Sequence, residues 1–408
     1  MRSKKLLKTI AMVCIFAILS SGSMIKNTYA DENGNWTKDR IWGSDRFETA
    51  NKIADEFCKT NEELGLTLEY GEYFYPDCAT TSVDTVILAN GFNYPDALCA
   101  TPLSRTLNAP ILLTHQDNLT DSTKKQIEKI KIKNITLVGG TSAISENVEN
   151  QLKSMKINVS RLGGIDRYDT SYLIAEKVTE DKKIKQATAV SGMDWHDAMI
   201  ASSAAAIKDA PLLLVPTSDN EVLPKYKSLL EKNNINIVNV NDYGSEKELK
   251  TEILSKMIPN NLYIDKENSG FLYKNTEAPA ENKYVNCFAI LNQAYTRDLP
   301  YEVGENVFLT RGDDFADSLA VAPLAAKKAS PIAFGTPVHK GWSKWDEFVE
   351  DAKLETIRLN YQMKPEDGEI FCNKVTTKIL NTMRSTTLIG GSSVMPENAD
   401  DIFRGIWE

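Results

Sequence analysis

The chain has 408 residues, more than one ordinary hydrophobic core supports, so two to four domains are expected, each with its own interior. At 42% hydrophobic and 25% charged residues, with no long charge block, the composition excludes both wholesale disorder and a small fold held by staples. The formal net charge of −9 excludes global attraction to nucleic acid.

In chain order, Arg2, Lys4, Lys5 and Lys8 precede an apolar run from Ile10 to Leu19, and small residues lead to Thr28-Tyr29-Ala30. This is the three-part pattern of a secretory signal peptide over residues 1–30, too short to span a bilayer as a helix. Its removal takes five basic residues and no acidic ones, leaving 42 Lys+Arg against 56 Asp+Glu, a net charge of −14. An anionic ligand must then be held by local groups against the overall field. Five cysteines remain (Cys58, Cys78, Cys99, Cys287 and Cys372), an odd number without a C-x-x-C spacing. They indicate neither a disulfide scaffold nor a zinc site and read mostly as small apolar core residues, although the separation of Cys58 and Cys78 permits a bridge.

Beyond the signal the chain repeats itself. RIWGSDRFETANKIADEF from Arg40 returns as RLGGIDRYDTSYLIAEKV from Arg161, while Asn282-Lys283-Tyr284 stands at that place in a third copy. A second block starts at Val86, Thr188 and Val307. In it Gly91, Gly192 or Gly312 lies five residues before Asp96, Asp197 or Asp317, and Pro110, Pro211 or Pro331 lies fourteen after it. A third block, ITLVGG from Ile135, returns as TLIGG from Thr387, and the middle copy has IVNVND from Ile237 without the glycines. The units are 36–160, 161–261 and 262–408, with insertions at 60–82 and about 336–385, and the polar stretch Asn260 to Asn282 reads as a linker into the third.

Each unit alternates strand and helix. Thr85 to Ala89, Ile111 to Thr114 and Ile135 to Val138 are short apolar runs without polar alternation, as in strands buried on both faces of a parallel sheet. Phe47, Ala50, Ala54 and Phe57 share one helical face, which Tyr168, Ala175 and Val178 repeat. The fold class is therefore α/β, with three tandem Rossmann-like modules built on parallel sheets. Pro102 and Pro323 are expected to kink or delay the helix that follows each repeated Asp.

Asp96, Asp197 and Asp317 open apolar helices and are assigned as structural N-caps, the alternative being ligand contacts at the C-terminal edge of the sheet. Gly139-Gly140 and Gly390-Gly391 follow strands, with Ser145 a cap soon after, and such a turn exposes backbone N–H groups to an anion or hydroxyl. No G-x-G-x-x-G fingerprint accompanies them. Arg46 and Arg167, with Lys283 in the corresponding slot, stand beside Asp45, Asp166 and Asn282 at helix starts, as structural ion pairs or as ligand contacts.

Catalytic constellations are thin. His115, His196 and His339 lie far apart without a metal-ligand spacing, and there is no G-x-S-x-G elbow, so no catalytic residue, metal or cofactor is assigned. Asp194 with Asp197, and Asp313 and Asp314 with Asp317, are acidic turns of the solvated kind common at helix starts. Arg311-Gly312-Asp313 fills the strand-to-turn slot of Asn90-Gly91-Phe92, so its likeness to an adhesion tripeptide is coincidence. Trp342 and Trp345 share an apolar helix face with Phe348 and Ala352.

Taken together, the R-[IL]-x-G-x-D-R-[FY]-x-T, G-x4-D-[AS]-[LM], A-P-[IL]-L-L and V-G-G blocks resemble the cell-wall-binding type 2 repeat of clostridial surface proteins, over nearly the whole chain after the signal. The resemblance implies three Rossmann-like modules packed around a pseudo-threefold axis. It also implies non-covalent attachment to an anionic secondary polysaccharide of the Gram-positive cell wall, beside an S-layer or within it. Ligand-binding residues implied on this basis are Arg40, Asp45, Arg46, Gly139 and Gly140, with Arg161, Asp166 and Arg167, and then Lys283, Gly390 and Gly391 in the third copy. The middle copy lacks the glycine pair and the third lacks the Asp-Arg pair, so three equal sites are not implied. Two other readings stay open: a wall hydrolase or modifier of amidase activity, and a receptor for a small anionic ligand.

Overall fold

The computed structural model describes residues 37–60, 63–64, 82–180, 184–235, 237–241, 249–259, 263–264, 306–335, 385–393 and 395. The signal peptide, Lys283, Trp342, Trp345, Cys78, Cys287, Cys372 and most of both insertions lie outside them.

The first repeat runs through β1 (Thr37–Ile41), α1 (Arg46–Phe57), β2 (Thr85–Asn90), α2 (Ala100–Leu107), β3 (Ile111–Thr114), α3 (Asp121–Ile130), β4 (Asn134–Val138) and α4 (Glu146–Ser154). The second has β5 (Asn158–Leu162), α5 (Arg167–Thr179), β6 (Gln186–Ser191), α6 (Trp195–Ile207), β7 (Leu212–Val215), α7 (Val222–Lys232), β8 (Ile237–Asn241) and α8 (Thr251–Met257). After β9 (Tyr263–Ile264), the third repeat contributes β10 (Asn306–Arg311), α9 (Ala316–Lys327), β11 (Ile332–Gly335) and β12 (Ser385–Ile389). The apolar runs are strands, buried along nearly their whole length, and the Phe47 face of α1 is buried through Ala50, Ile53, Ala54 and Phe57.

These strands form three four-stranded sheets, ordered β3-β2-β4-β5, β7-β6-β8-β9 and β11-β10-β12-β1. Every pairing is parallel. Sheets and sequence repeats are thus offset by one strand. The strand that opens the second repeat closes the first sheet beside β4, with Leu137 opposite Arg161. In the same way β1 closes the third sheet beside β12, with Arg40 opposite Leu388. Tyr263 and Ile264, assigned from composition to a linker, form the closing strand of the second sheet instead, because β8 offers a free ladder edge and two apolar residues suffice to pair with it.

Helices α2, α6 and α9, the equivalent helix of each repeat, pack against one another. They are rich in small residues, and α6 (WHDAMIASSAAAI) is buried from Asp197 to Ile207, as a helix apolar on all sides must be. Its buried hydroxyls are not idle: Ser202 Oγ donates to the Met199 carbonyl at 2.8 Å, and Thr310 and Ser318 hydroxyls pair at 2.7 Å in the third repeat. One hydrophobic core runs continuously from Ile41 to Met395 through all three repeats, and a second lies under α3 and α4 on the other face of the first sheet. Pro102 falls in the first turn of α2, where its missing N–H costs nothing, and α2 begins well after the position at which α6 begins. Pro323 lies inside α9, which continues through it.

In the first and second repeats the first helix faces another repeat. Helix α1 packs on α9 of the third repeat and α5 on α2 of the first. At the far end of α1, the buried Lys327 ammonium donates to the carbonyls of Phe57 at 2.6 Å and Lys59 at 3.0 Å, completing the helix C-terminus from the third repeat.

If β1 is the closing strand of the third sheet, truncating its buried Ile41 (5% exposed) should destabilise the protein by about 2–4 kcal/mol. Urea unfolding of Ile41→Ala measures this, and a loss below about 0.5 kcal/mol would show that β1 adds nothing to the core.

Candidate functional site: the junctions between repeats

The offset of sheets and repeats creates the site. After its closing strand, β1 or β5, the chain must cross from one sheet to the first helix of the next repeat, and it does so over the glycine-pair turn that follows β12 or β4. Gly139 and Gly390 have φ of +106° and +110°, a left-handed conformation that favours glycine. A Cβ on Gly163 would lie 2.4 Å from the Gly139 backbone, so the two turns touch main chain to main chain. In the other junction Trp42 takes the place of Gly163 and lies over Gly391.

Arg161 holds this turn from within. Its Nη1 donates to the carbonyls of Gly139 and Ile144, both at 2.9 Å, and Glu149 accepts from Nη2 at 2.9 Å. Hydrogen bonds from Lys153 and then from Arg161 hold the Glu149 carboxyl below its usual range. Arg40 repeats the arrangement, donating to the carbonyls of Gly390 at 2.7 Å and Met395 at 2.8 Å. Asp45 and Asp166 cap α1 and α5, each accepting a backbone N–H at 2.8 Å.

The next residue in each block reaches across the junction. Arg46 Nη1 donates to the Gly91 carbonyl at 2.6 Å and Nη2 to Asp314 of the third repeat at 3.0 Å. Its guanidinium lies 4.5 Å over the ring of Phe92, which stacks on His115 and is more than half exposed. Arg167 Nη1 donates to the Gly192 carbonyl at 2.8 Å. Behind it Asp96 of the first repeat accepts a 2.9 Å hydrogen bond from Thr170. Burial raises the Asp96 carboxyl above its usual range, and Thr170 and then Arg167 oppose the rise.

The three repeated aspartates do not cap their helices. The N-cap residues are Cys99 for α2, Asp194 for α6 and Phe315 for α9. Asp96 precedes α2 and turns instead to Thr170, because the preceding strand ends over the neighbouring repeat, whose helix α5 offers a hydroxyl there. Asp197 is buried in the first turn of α6. Asp317, half-buried in the first turn of α9, has its carboxyl pushed up to about 6 by burial and then by the Asp314 charge, with Arg311 and Arg46 opposing. Ser145 occupies the N-cap position of α4 without a side-chain cap bond.

The structure therefore brings together Arg40, Asp45, Arg46, Gly390 and Gly391 at one junction and Arg161, Asp166, Arg167, Gly139 and Gly140 at the other. Lys283 lies outside the described residues. Asp314 and Phe92 are contributors that single-residue reasoning passes over. Asp314 sits in an acidic turn that resembles a solvated cap, and only its place two residues after the repeated glycine marks it. Among the described residues no three His, Cys, Asp or Glu side chains converge as metal ligands.

Against known proteins, the family model Cell wall binding domain 2 (CWB2) matches residues 40–149, 161–253 and 280–400. An N-acetylmuramoyl-L-alanine amidase, LytC, of Bacillus subtilis (strain 168) is 28% identical over 297 residues, covering 72% of this chain and 49% of the amidase. An amidase enhancer from the same organism is 30% identical over 299 residues, 72% of this chain and 34% of the enhancer. The chain thus spans half or less of the length of these two relatives. Among solved structures, Cwp6 from Clostridium difficile superposes with a TM-score of 0.63 at 20% identity, covering 89% of this chain and 47% of that one. Cwp8 from Clostridium difficile gives 0.62 at 21%, covering 98% and 55%. At these identities the likeness to both is one of fold.

Two substitutions test the geometry. In Gly139→Ala the Cβ would meet Ala143 at 2.8 Å and Asp96 Oδ2 at 2.9 Å in a backbone conformation that alanine resists, so thermal unfolding should show a loss of about 1–3 kcal/mol. For Asp317, a raised carboxyl means that the folded state resists ionisation, so stability falls as pH rises from about 4 through about 6 and is level above. Asp317→Asn should remove that fall, gaining about 1 kcal/mol after solvent screening at neutral pH relative to acid, as read by denaturation at both. An equal effect of the substitution at both pH values would contradict the assignment.

Proposed function

Since the chain belongs to the Cell wall binding domain 2 family, we propose that it is a non-catalytic surface protein that holds an anionic secondary polysaccharide of the Gram-positive cell wall at the junctions between its repeats. The observation that carries this reading is the way the arginines are used. Arg40 and Arg161 turn donors inward onto the carbonyls of the glycine turns. Arg46 and Arg167, half-buried at the junction mouths, use two donors and one respectively of the five each guanidinium has, among the described residues. A guanidinium so placed at a partly desolvated edge suits phosphate or carboxylate groups strung along a polymer, and it acts locally in a chain whose overall charge is negative.

The mutual packing of α2, α6 and α9 supports the pseudo-threefold arrangement, in which a polymer passes from one junction to the next. The signal-like residues 1–30 support secretion, and no helix among the described residues is long and apolar enough to cross a membrane. Attachment at the wall then places the protein beside an S-layer where one is present. The second reading, a wall hydrolase or a modifier of amidase activity, draws on the amidase and amidase enhancer among its relatives.

Residues 31–408 should co-sediment with Gram-positive walls and be lost from them when the non-peptidoglycan polymer is extracted or the salt raised. Arg46→Gln with Arg167→Gln should weaken retention at least about tenfold while the protein still melts cooperatively, since each charge-assisted contact is worth roughly 1–3 kcal/mol. Unchanged retention of a folded double variant would refute this site, and clearing of peptidoglycan by the purified protein would favour the second reading.

A further inference from the structure

The junction between the second and third repeats lacks both signatures of the other two, yet the same bridge is built there from a different residue. At the junction of the third and first repeats, Arg46 joins the Asp314 carboxylate of one repeat to the Gly91 carbonyl of the next. Between the second and third, His196 Nδ1 lies 2.6 Å from Asp194 and its Nε2 lies 3.0 Å from the carbonyl of Gly312. Asp194 and Asp314 are equivalent, each two residues after the repeated glycine, and Gly312 is the equivalent of Gly91. The two bridges are equally accessible, with side-chain exposures of 26% and 25% for Arg46 and Asp314 against 21% and 28% for His196 and Asp194. The imidazole is fixed by stacking on Trp195 at 3.9 Å and by the edge-on ring of Phe334 at 5.5 Å.

Both partners of the ring are acceptors, a carboxylate and a carbonyl, so both hydrogen bonds form only when each ring nitrogen has a proton. We propose that His196 bridges this junction as a cation, in the place that Arg46 takes between the third and first repeats, so that the charge it offers an anionic ligand depends on both ring nitrogens being protonated. Around the ring, Asp194 and Asp197 are the acidic groups of its own helix start. The turn bearing Gly312 adds Arg311, which is tied to Asp313, then Asp314, which is tied to Arg46, and Asp317. The bridge itself stands apart from the proposed function, whereas its meeting an anionic ligand rests on it.

The test compares residues 31–408 with His196→Arg and His196→Ala, at about pH 5.5 and about pH 8, the interval in which histidine changes charge. Nitrogen-15 spectra of the wild-type imidazole should show both ring nitrogens protonated at the lower pH. The melting temperature of His196→Ala should lie below that of the wild type by a few degrees at the lower pH, and the gap should narrow at the higher. His196→Arg should keep the bridge at both. A His196 ring with one proton throughout, or a His196→Ala gap independent of pH, would overturn the bridging cation. For the ligand, His196→Ala should retain less wall polymer than the wild type at the lower pH and about the same at the higher. Equal retention at both by a wild type that does bind would overturn that part. A wild type that binds no wall polymer at either pH, with the melting results intact, would refute the proposed function and with it the ligand part, leaving the bridge standing.

Discussion

The strand that precedes each Asp-Arg turn pairs with the sheet of the repeat before it. β5 beside β4 and β1 beside β12 oblige the chain to cross between repeats immediately afterwards. The crossing is tight, since Gly163 meets Gly139 main chain to main chain, and it delivers Asp166 to the start of α5 and Arg167 to the mouth of the junction. A ladder of hydrogen bonds, repeated with β1 in the third sheet, thereby joins repeats that lie far apart in sequence. Each sheet is incomplete without a strand from another unit, so the repeats share one continuous core.

On that frame the electrostatics are local. A chain with an excess of carboxylates places them against guanidinium and backbone N–H groups at the junctions: Asp45 and Asp166 cap helices, Asp314 meets Arg46, and Asp96 is hydrogen bonded to Thr170 close to Arg167. Half-burial makes these contacts stronger than surface pairs, and it raises the cost of ionising Asp96 and Asp317. The same edges of the sheets are where open α/β folds bind ligands, and the groups that join the repeats there are the ones proposed to meet the wall polymer.

Much of this was legible in the residues, and the parts that were not share a cause. Thr85 to Ala89, Ile111 to Thr114 and the Phe47 face of α1 announce themselves because their signals are local: apolar runs in strands and a 3.6-residue period in the helix. Asp45 and Asp166, expected as ion-pair partners of the adjacent arginines or as ligand contacts, instead cap α1 and α5, and Arg46 pairs with Asp314 of another repeat, which adjacency in sequence does not reveal. The partner of a strand is not local information, so nothing in Arg40 to Ile41 tells that this segment belongs to the third sheet, and Tyr263-Ile264 is too short to stand out from a polar stretch. Asp96 misleads for the same reason. An Asp before an apolar helix suits a cap, and only the neighbouring repeat shows that Thr170 is its partner. His196 looks like a lone histidine until the missing arginine and the carbonyl of Gly312 are seen together.

The proposed function places the ligand at the junctions between repeats, where binding would shield backbone amides of the turns. Hydrogen–deuterium exchange of residues 31–408, with and without purified anionic wall polysaccharide, reads that shielding turn by turn. Added protection is expected in the turns at 42–46, 91–93, 139–142 and 163–167, with the outer helices α3, α4 and α7 unchanged. Protection confined to those outer helices, or none in the turns at a polymer concentration that saturates retention, would contradict that placement.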